Sequence, residues 1–279
     1  MKKKKMDFIR KIIQTAFFAL VALIIVNHSL EEKTDFQIPF LGSASLHAIC
    51  PMGGVVSIYQ FVTQGNYVKK THESSFILMW IVFILALVAG PAFCGWVCPF
   101  GTFQEMISKI GKKVLKKKYN NLIPRSLDKY LRYIRYLILA LVVYQTAVLG
   151  KLMFSNVDPY YALFNIWFEE VAVTSIIALS AVILLSFIIE RPFCKYACPY
   201  GAVLGIFNLF RIFSVRREAS TCIDCKACDK VCPMNIIVST SKSGIRSLQC
   251  ISCLQCTSEN SCPVADTVTL SVKKPGGAK

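Results

Sequence analysis

The chain has 279 residues, of which 54% are hydrophobic and only 17% are charged, and its mean hydropathy is +0.51. This composition excludes an ordinary soluble enzyme and predicts a membrane protein. The formal net charge of +16 would suit a surface that binds nucleic acid. However, the basic residues concentrate beside apolar segments, so nucleic acid is not an expected partner.

Four apolar segments are each predicted to form a transmembrane helix, because a helix rises about 1.5 Å per residue and the hydrocarbon core is about 30 Å thick. They are residues 12–26, 76–93, 133–149 and 171–189. The first is expected to be a retained anchor, since no small-x-small cleavage site of a signal peptide follows it. The predicted fold class is an α-helical membrane protein with four transmembrane helices, arranged as two repeated hairpins.

Lysines and arginines are concentrated before the first apolar segment and between the second and the third. The other connections, around 31–73 and 151–170, carry more acidic than basic residues. By the positive-inside rule, we expect a multi-pass protein of the cell membrane with both termini and the middle loop in the cytoplasm.

The connection after the first apolar segment contains an unusual stretch. Residues 46–68 are too apolar for an ordinary solvated loop and are interrupted by a proline and two glycines, which predicts a re-entrant or surface-lying piece. Cys50, beside His47, is a candidate outer-face redox site that would pass electrons outward or lie near a quinone or a partner's flavin. The alternative, which we favour, is a packed thiol and a histidine that bonds to the backbone.

A nine-residue signature occurs twice, one hundred residues apart. It reads Phe-Cys-Gly-Trp-Val-Cys-Pro-Phe-Gly at 93–101 and Phe-Cys-Lys-Tyr-Ala-Cys-Pro-Tyr-Gly at 193–201. We interpret the chain as a duplicated helix pair in which each copy ends in CxxxCP. The segments that follow, 101–118 and 201–217, mix basic with apolar residues and are expected to lie on an anionic membrane surface.

The four cysteines of the two signatures are candidates for one shared site. Cysteines four residues apart are expected on the same face of a helix, so two copies would present them to a common centre. This predicts a third iron–sulfur cluster, and the alternatives are buried apolar thiols or a redox-active dithiol. The residues are Cys94, Cys98, Cys194 and Cys198.

Two further cysteine runs near the C-terminus have the spacing of a two-cluster [4Fe–4S] ferredoxin. The first is CxxCxxCxxxCP, and the second differs by having five residues before its last cysteine. In the two-cluster arrangement each run lends that last cysteine to the other cluster. One predicted ligand set is Cys222, Cys225, Cys228 and Cys262, and the other is Cys250, Cys253, Cys256 and Cys232.

Zinc is the main alternative for these runs, but zinc sites use two CxxC pairs separated by a longer loop. Disulfides are not expected, because this segment should face a reducing cytoplasm. The sequence therefore predicts two domains. Residues 1–217 would form the membrane domain, and residues 218–279 a small cytoplasmic α+β ferredoxin-like domain that depends on its clusters for much of its stability.

The two CxxxCP-aromatic-Gly signatures and the two-cluster tail together resemble the NapH/NosR/CcoG-like family of membrane polyferredoxins. This resemblance covers nearly the whole chain, and it implies electron transfer coupled to the quinone pool or to an extracytoplasmic redox partner that carries a flavin. The chain looks like the short NapH form, since it lacks the large extracytoplasmic flavin domain of the NosR branch.

Two other functions stay open from the sequence alone. The CcoG-like branch implies a reductase that delivers electrons to a metal ion during assembly of another enzyme. A redox sensor, whose clusters report iron or oxygen through a protein contact, is the other. If the chain is part of an enzyme, we expect an oxidoreductase subunit resembling a quinol dehydrogenase, with no side chain that does bond chemistry on a substrate.

Overall fold

The computed structural model describes residues 3–34, 73–149, 157–166, 171–241, 244–259, 261–264 and 266–272. Helices dominate this part of the chain. They are α1 (Lys3–Thr34), α2 (Glu73–Ala89), α3 (Ala92–Trp96), α4 (Pro99–Leu115), α5 (Arg125–Leu131), α6 (Ile134–Leu149), α7 (Pro159–Asn165), α8 (Val173–Ser186), α9 (Pro192–Tyr196), α10 (Pro199–Phe207) and α11 (Ala227–Lys230). Short 3-10 turns lie at Lys116–Lys118 and Gln255–Thr257.

Two strands form the sheet of the described part. The strand β1 (Phe213–Arg217) pairs antiparallel with β2 (Val268–Val272), with Val215 opposite Leu270. β1 directly follows the second repeat, whereas β2 closes the tail, so this sheet ties the two predicted domains together. Val215 and Val268 are buried and pack with Val238 and Ile245 in the core of the tail.

The duplication predicted from the sequence is visible in the helices. α2, α3 and α4 are followed one hundred residues later by α8, α9 and α10, which begin at equivalent positions. α1 packs on α3, α4 and α7, while α6 packs on α9 and α10. The two copies therefore stand side by side, each with a supporting helix.

The prediction of four transmembrane helices is wrong. Among the described residues, only α1 is long and apolar enough to cross a membrane, over Met6–Asn27. α8 has 14 residues, α6 has 16 and α2 has 17. Helices of these lengths are shorter than the roughly 20 residues that a bilayer requires. α2 ends directly before a turn at Gly90, with φ of +78°, and α8 ends at Ser186, before the left-handed Arg191, with φ of +52°.

The structure also corrects the local geometry expected of CxxxC. The two cysteines of a signature do not share one helix. α3 ends at Trp96 and α4 begins at Pro99, so Cys98 lies between the two helices. α9 and α10 repeat this arrangement around Cys198. Proline has no N–H to donate and is favoured at the first helical position, which explains the break.

Candidate iron–sulfur sites

Each signature folds as a short helix, a turn and a second helix. In the first copy, the backbone N–H groups of Val97 and Cys98 both donate to the carbonyl of Phe93, at 3.0 and 2.9 Å. In the second copy, the N–H of Cys198 donates to the carbonyl of Phe193 at 2.8 Å. The sulfur of Cys198 also accepts a hydrogen bond from the N–H of Gly201 at 3.2 Å. The two copies thus present their cysteines in the same local conformation.

Aromatic rings pack the two signatures against each other in a reciprocal way. Phe93 of the first copy meets Tyr200 of the second edge to face, with ring centres 6.1 Å apart. Phe193 of the second copy meets Phe100 of the first in the same manner at 5.3 Å. This exchange is what a pseudo-twofold axis between the copies would produce.

The signature thiols lie inside this aromatic packing. Cys98 and Cys198 contact both aromatic clusters, and Cys94 contacts the one around Phe93. Cys194 accepts a hydrogen bond to its sulfur from the side chain of Gln104, at 3.5 Å. We call Cys94, Cys98, Cys194 and Cys198 the quartet.

The quartet thiols are close enough to interact electrostatically with one another. Burial raises the pKa of all four, and neighbouring quartet thiols raise it further for Cys94, Cys98 and Cys198. The pKa of Cys98 rises to about 12. A redox-active dithiol needs a lowered pKa, so this environment argues against that alternative. Four thiolates would need positive charge at the centre, which a cluster's iron supplies.

A buried ionic network lies directly beside the quartet. Arg191, which is 1% exposed, donates to the carbonyl of Cys94 at 2.5 Å and to the carboxylate of Glu105 at 2.8 Å. Arg10 donates to the same carboxylate at 2.9 Å, and Gln14 bridges Glu105 and the carbonyl of Gly95. Burial alone would raise the pKa of Glu105, but the two guanidinium groups hold it well below its ordinary range.

Sequence reasoning missed this network and the role of Gln104. Gln104 lies in the first copy, yet its carbonyl oxygen accepts from the N–H of Phe193 in the second, at 3.2 Å. The sequence offered only a weak indication of this network. The polar residues of the segment 101–118 were expected to face the membrane surface. In the structure, this face of α4 is buried, including Thr102, Gln104, Glu105 and Ser108.

The second predicted ligand set of the tail lines one cavity. Cys232, Cys250, Cys253 and Cys256 all contribute to its wall, among apolar side chains such as Met234. Cys232 comes from the first run, so the structure brings the lent cysteine to the other three. Burial, together with the charges of Cys253 and Cys250, raises the pKa of Cys232 to about 12.

The first predicted set lies next to this cavity. Cys228 is buried in the core of the tail, and Cys262 of the second run packs against the same core. Burial and the charge of Asp229 raise the pKa of Cys228 to about 11. Burial raises the pKa of Cys256, which lines the cavity, and the charge of Cys228 contributes to this increase. Cys222 accepts a hydrogen bond to sulfur from Arg217 at 3.4 Å, and Cys225 is exposed.

The two CxxCxxC loops have matching backbones. The residue before the second cysteine is left-handed in both, at Asp224 and Ser252, each with φ of +50°. The residue after that cysteine is left-handed as well, at Lys226 and Leu254, with φ of +55° and +57°. Left-handed residues between right-handed ones point successive N–H groups into a concavity that suits an anion such as an iron–sulfur cluster. The donor set and the backbone therefore fit a cubane in both loops.

The unusual spacing of the second run is absorbed in a local turn. After the 3-10 turn at Gln255–Thr257, the N–H groups of Ser261 and Cys262 both donate to the carbonyl of Ser258, at 3.0 and 2.9 Å. The two serine hydroxyls also bond at 2.9 Å. With this turn in place, Cys262 packs against the core of the tail that contains Cys228.

Within the described residues, no three His, Cys, Asp or Glu side chains converge on a single metal ion. A cubane requires a wider arrangement, because its four thiolates bind four different irons. Cys50 and His47 lie outside the described residues, so the predicted outer-face site is not placed.

Paired helix repeats that bring four thiols together, followed by two cubane-type loops, define an iron–sulfur electron-transfer protein. Comparison with known proteins agrees. The family described as a 4Fe-4S binding domain matches residues 71–118 and 171–217, which are the two repeats. The chain belongs to the family of ferredoxin-type electron-transport proteins whose members include YccM, NosR, NirI and NapH.

Individual relatives cover most of the chain. YccM of Escherichia coli, a proposed electron transport protein, is 31% identical over 82% of this chain, and the match spans 64% of that relative's length. A protein of Methanocaldococcus jannaschii, MJ0749, is 30% identical over 91% of this chain and 84% of its own length. The ferredoxin-type protein NapH of Haemophilus influenzae is 29% identical over 63% of this chain and 61% of its own length. No solved structure matches.

Proposed function

We propose that this protein is a membrane electron carrier with three iron–sulfur clusters. Two are [4Fe–4S] clusters bound by the two tail sets, and the third is held by the quartet. The observation that carries the proposal is the meeting of Cys94 and Cys98 with Cys194 and Cys198 between the two repeats. The family match to a 4Fe-4S binding domain covers these repeats, which supports a cluster there.

Basic donors beside the sulfurs support electron transfer as the role. Arg211 donates to the sulfur of Cys250 at 3.7 Å, and Arg217 donates to that of Cys222 at 3.4 Å. Arg191 places its positive charge beside the quartet. Hydrogen bonds to sulfur and nearby positive charge both set the potential of a cluster. The clusters would supply one-electron chemistry, and the protein supplies position and potential.

The proposal includes a multi-pass chain in the cell membrane with both termini in the cytoplasm. Arg10 and Gln14, near the beginning of the candidate span in α1, bond to Glu105 and Gly95. The signatures therefore lie at the end of α1 that carries the N-terminal lysines, which the positive-inside rule assigns to the cytoplasm. Because α1 runs away from the side that carries the N-terminal lysines, the chain has to come back to that side before it reaches the quartet.

The redox partner belongs to the proposal as well. The resemblance to NapH and NosR supports a quinone, or a redox protein that carries a flavin, as the group that exchanges electrons with the clusters. The names of the relatives describe an electron transport protein and a ferredoxin-type protein. The choice of a quinone or a flavin-carrying partner rests on the family resemblance alone.

Metal analysis of anaerobically purified protein tests the proposal. We expect about twelve irons and about twelve acid-labile sulfides per chain, with no zinc. Cys98→Ser or Cys198→Ser should each remove about four irons and leave the EPR signals of the tail clusters unchanged. Cys50→Ser is the matched control and should keep the full iron content. About eight irons in the unchanged protein would remove the third cluster from the proposal, and zinc in the tail would overturn it entirely.

A further inference from the structure

The first signature touches the tail at backbone distance. Gly95, between Cys94 and Cys98, leaves no room for a side chain. A Cβ added there would lie 2.5 Å from the carbonyl oxygen of Ile251 and 3.1 Å from the Cα of Cys253. These neighbours are main-chain atoms, so a larger residue would have to push the two segments apart. The second predicted ligand set of the tail is therefore held directly against the quartet.

The next residue fixes the same contact. The indole N–H of Trp96 donates to the carbonyl of Ser252 at 3.0 Å. Ser252 lies between Cys250 and Cys253, so this hydrogen bond joins a quartet turn to a cluster loop 156 residues away in sequence. The ring of Trp96 is half-buried and its N–H is satisfied by this bond, which fixes the orientation of the side chain.

The second repeat meets the same tail set. The side-chain N–H of Asn208, directly after α10, donates to the carbonyl of Cys250 at 3.2 Å. Arg191 bonds to the carbonyl of Cys94 at 2.5 Å, and its charge also acts on Cys253 of the tail. Both repeats therefore face one tail set, which consists of Cys232, Cys250, Cys253 and Cys256.

The first tail set lies toward the exposed end of the tail. Cys225 is exposed, Ile223 is 63% exposed, and the side chain of Asp224 is 74% exposed. Its link inward is through α11, which carries Cys228 and packs on the 3-10 turn that carries Cys256. Along the chain's own contacts, the order is the first set, then the second set, then the quartet.

We propose that Gly95 and Trp96 are positioning residues that fix this order, so that the tail exchanges electrons with the quartet through the Cys250–Cys256 loop. The first set is then the place where an external donor or acceptor meets the tail. Each exchange moves one electron, so that one centre is oxidised as its neighbour is reduced, and no bond is made or broken. This inference rests on the proposed third cluster.

EPR of the fully reduced full-length protein tests the contact without an activity assay. Adjacent reduced centres broaden each other's signals, so the quartet signal should show coupling to the tail. Gly95→Ala and Trp96→Phe should weaken that coupling several-fold, while leaving the iron content unchanged. Rapid-freeze measurements should show a parallel several-fold slowing of electron exchange between tail and quartet.

The duplication provides a matched control. Tyr196→Phe, at the position equivalent to Trp96, removes a hydrogen bond to Asp128 rather than to the tail. This control should keep the coupling and the exchange rate.

The outcomes separate the two proposals. About eight irons in the unchanged protein would overturn the third cluster and this inference with it. A full complement of iron with unchanged coupling in Trp96→Phe and Gly95→Ala would overturn this inference alone. If Gly95→Ala loses iron because the backbone clash prevents folding, Trp96→Phe decides the matter, since it keeps an aromatic ring and removes the indole N–H that bonds to Ser252.

Discussion

At the scale of single residues, Glu105 is the centre of a buried ionic network that joins α1 to both repeats. Its carboxylate pairs with Arg10 of α1 at 2.9 Å and with Arg191, just before α9, at 2.8 Å. The sequence identified the cysteines of the tail by their spacing, and the assignment of Cys232 and Cys262 to their ligand sets stays a prediction. Arg10 was assigned to the basic flank of a membrane segment, yet it is 1% exposed. Its partner, Glu105, is 95 residues away, and a pairing at that distance leaves no local pattern.

Glu105→Gln should destabilise the protein strongly. The carboxylate neutralises Arg10 and Arg191, so the amide would leave the buried guanidinium group of Arg191 without a counter-charge and leave Arg10 with Asp7 at 3.5 Å. Removing one partner of a buried ion pair costs about 3–5 kcal/mol. The free energy of unfolding in mixed detergent micelles measures this loss.

Lys11→Gln is the control for that variant. Its ammonium group is 53% exposed and pairs with Asp7 one helical turn away. Exposed pairs contribute less than about 1 kcal/mol, so we expect only a small change in stability. Equal effects of the two substitutions would show that the Glu105 network does not hold α1 to the repeats.

At the scale of elements, the sequence repeat predicted two equivalent sets of helices. The turns within each set determine where its helices begin and end. The repeat of one hundred residues gave two equivalent helix sets, as found in α2 to α4 and α8 to α10. The helix break inside each signature was missed, although Pro99 and Pro199 marked it in the sequence. The interior face of α4 was also missed, because hydrophilic residues that pair inside a protein look like solvent-facing ones.

The beginning of α7 predicts a pH dependence. The carboxylate of Asp158 caps this helix by accepting from the N–H of Tyr160 at 2.9 Å. Burial raises its pKa from 3.8 to about 6, although the hydrogen bond opposes the shift. Because the folded state then holds the proton more tightly than the unfolded state, stability should rise as the pH falls from about 7 toward about 4.

Asp158→Asn should remove this dependence and keep the cap. At pH 8 the variant should be more stable than the unchanged protein by about 1–3 kcal/mol, and the advantage should shrink at pH 5. Asp128→Asn should change the stability in the opposite direction. Burial alone would raise the pKa of Asp128, but Arg132, Lys195 and Tyr196 lower it, so its amide should lose stability at pH 8. A pH profile that is the same with and without Asp158 would contradict the assignment.

At the scale of the whole molecule, composition predicted a membrane protein but overestimated how many helices are long enough to cross. Hydropathy sums apolar residues through a turn such as Gly90 and Pro91, whereas a spanning helix has to be continuous. The folding of the tail onto the repeats was also beyond the sequence. It depends on Gly95 and Trp96 meeting the Cys250–Cys256 loop, and nothing local distinguishes these residues from other small or aromatic ones.

Reporter fusions test the arrangement of the whole chain in the membrane. The contacts of Arg10 and Gln14 with the signatures, and of Trp96 with the tail, require the N-terminus, the quartet and the tail to lie on one side. For the proposed cytoplasmic tail, a fluorescent protein fused after residue 279 should fluoresce, while alkaline phosphatase at that position should be inactive. Fusions after residue 34, beyond α1, should give the reverse pattern. Active phosphatase at the C-terminus would place the tail clusters outside the cytoplasm. That result would contradict the proposed orientation, in which the tail lies on the same side as the N-terminal lysines.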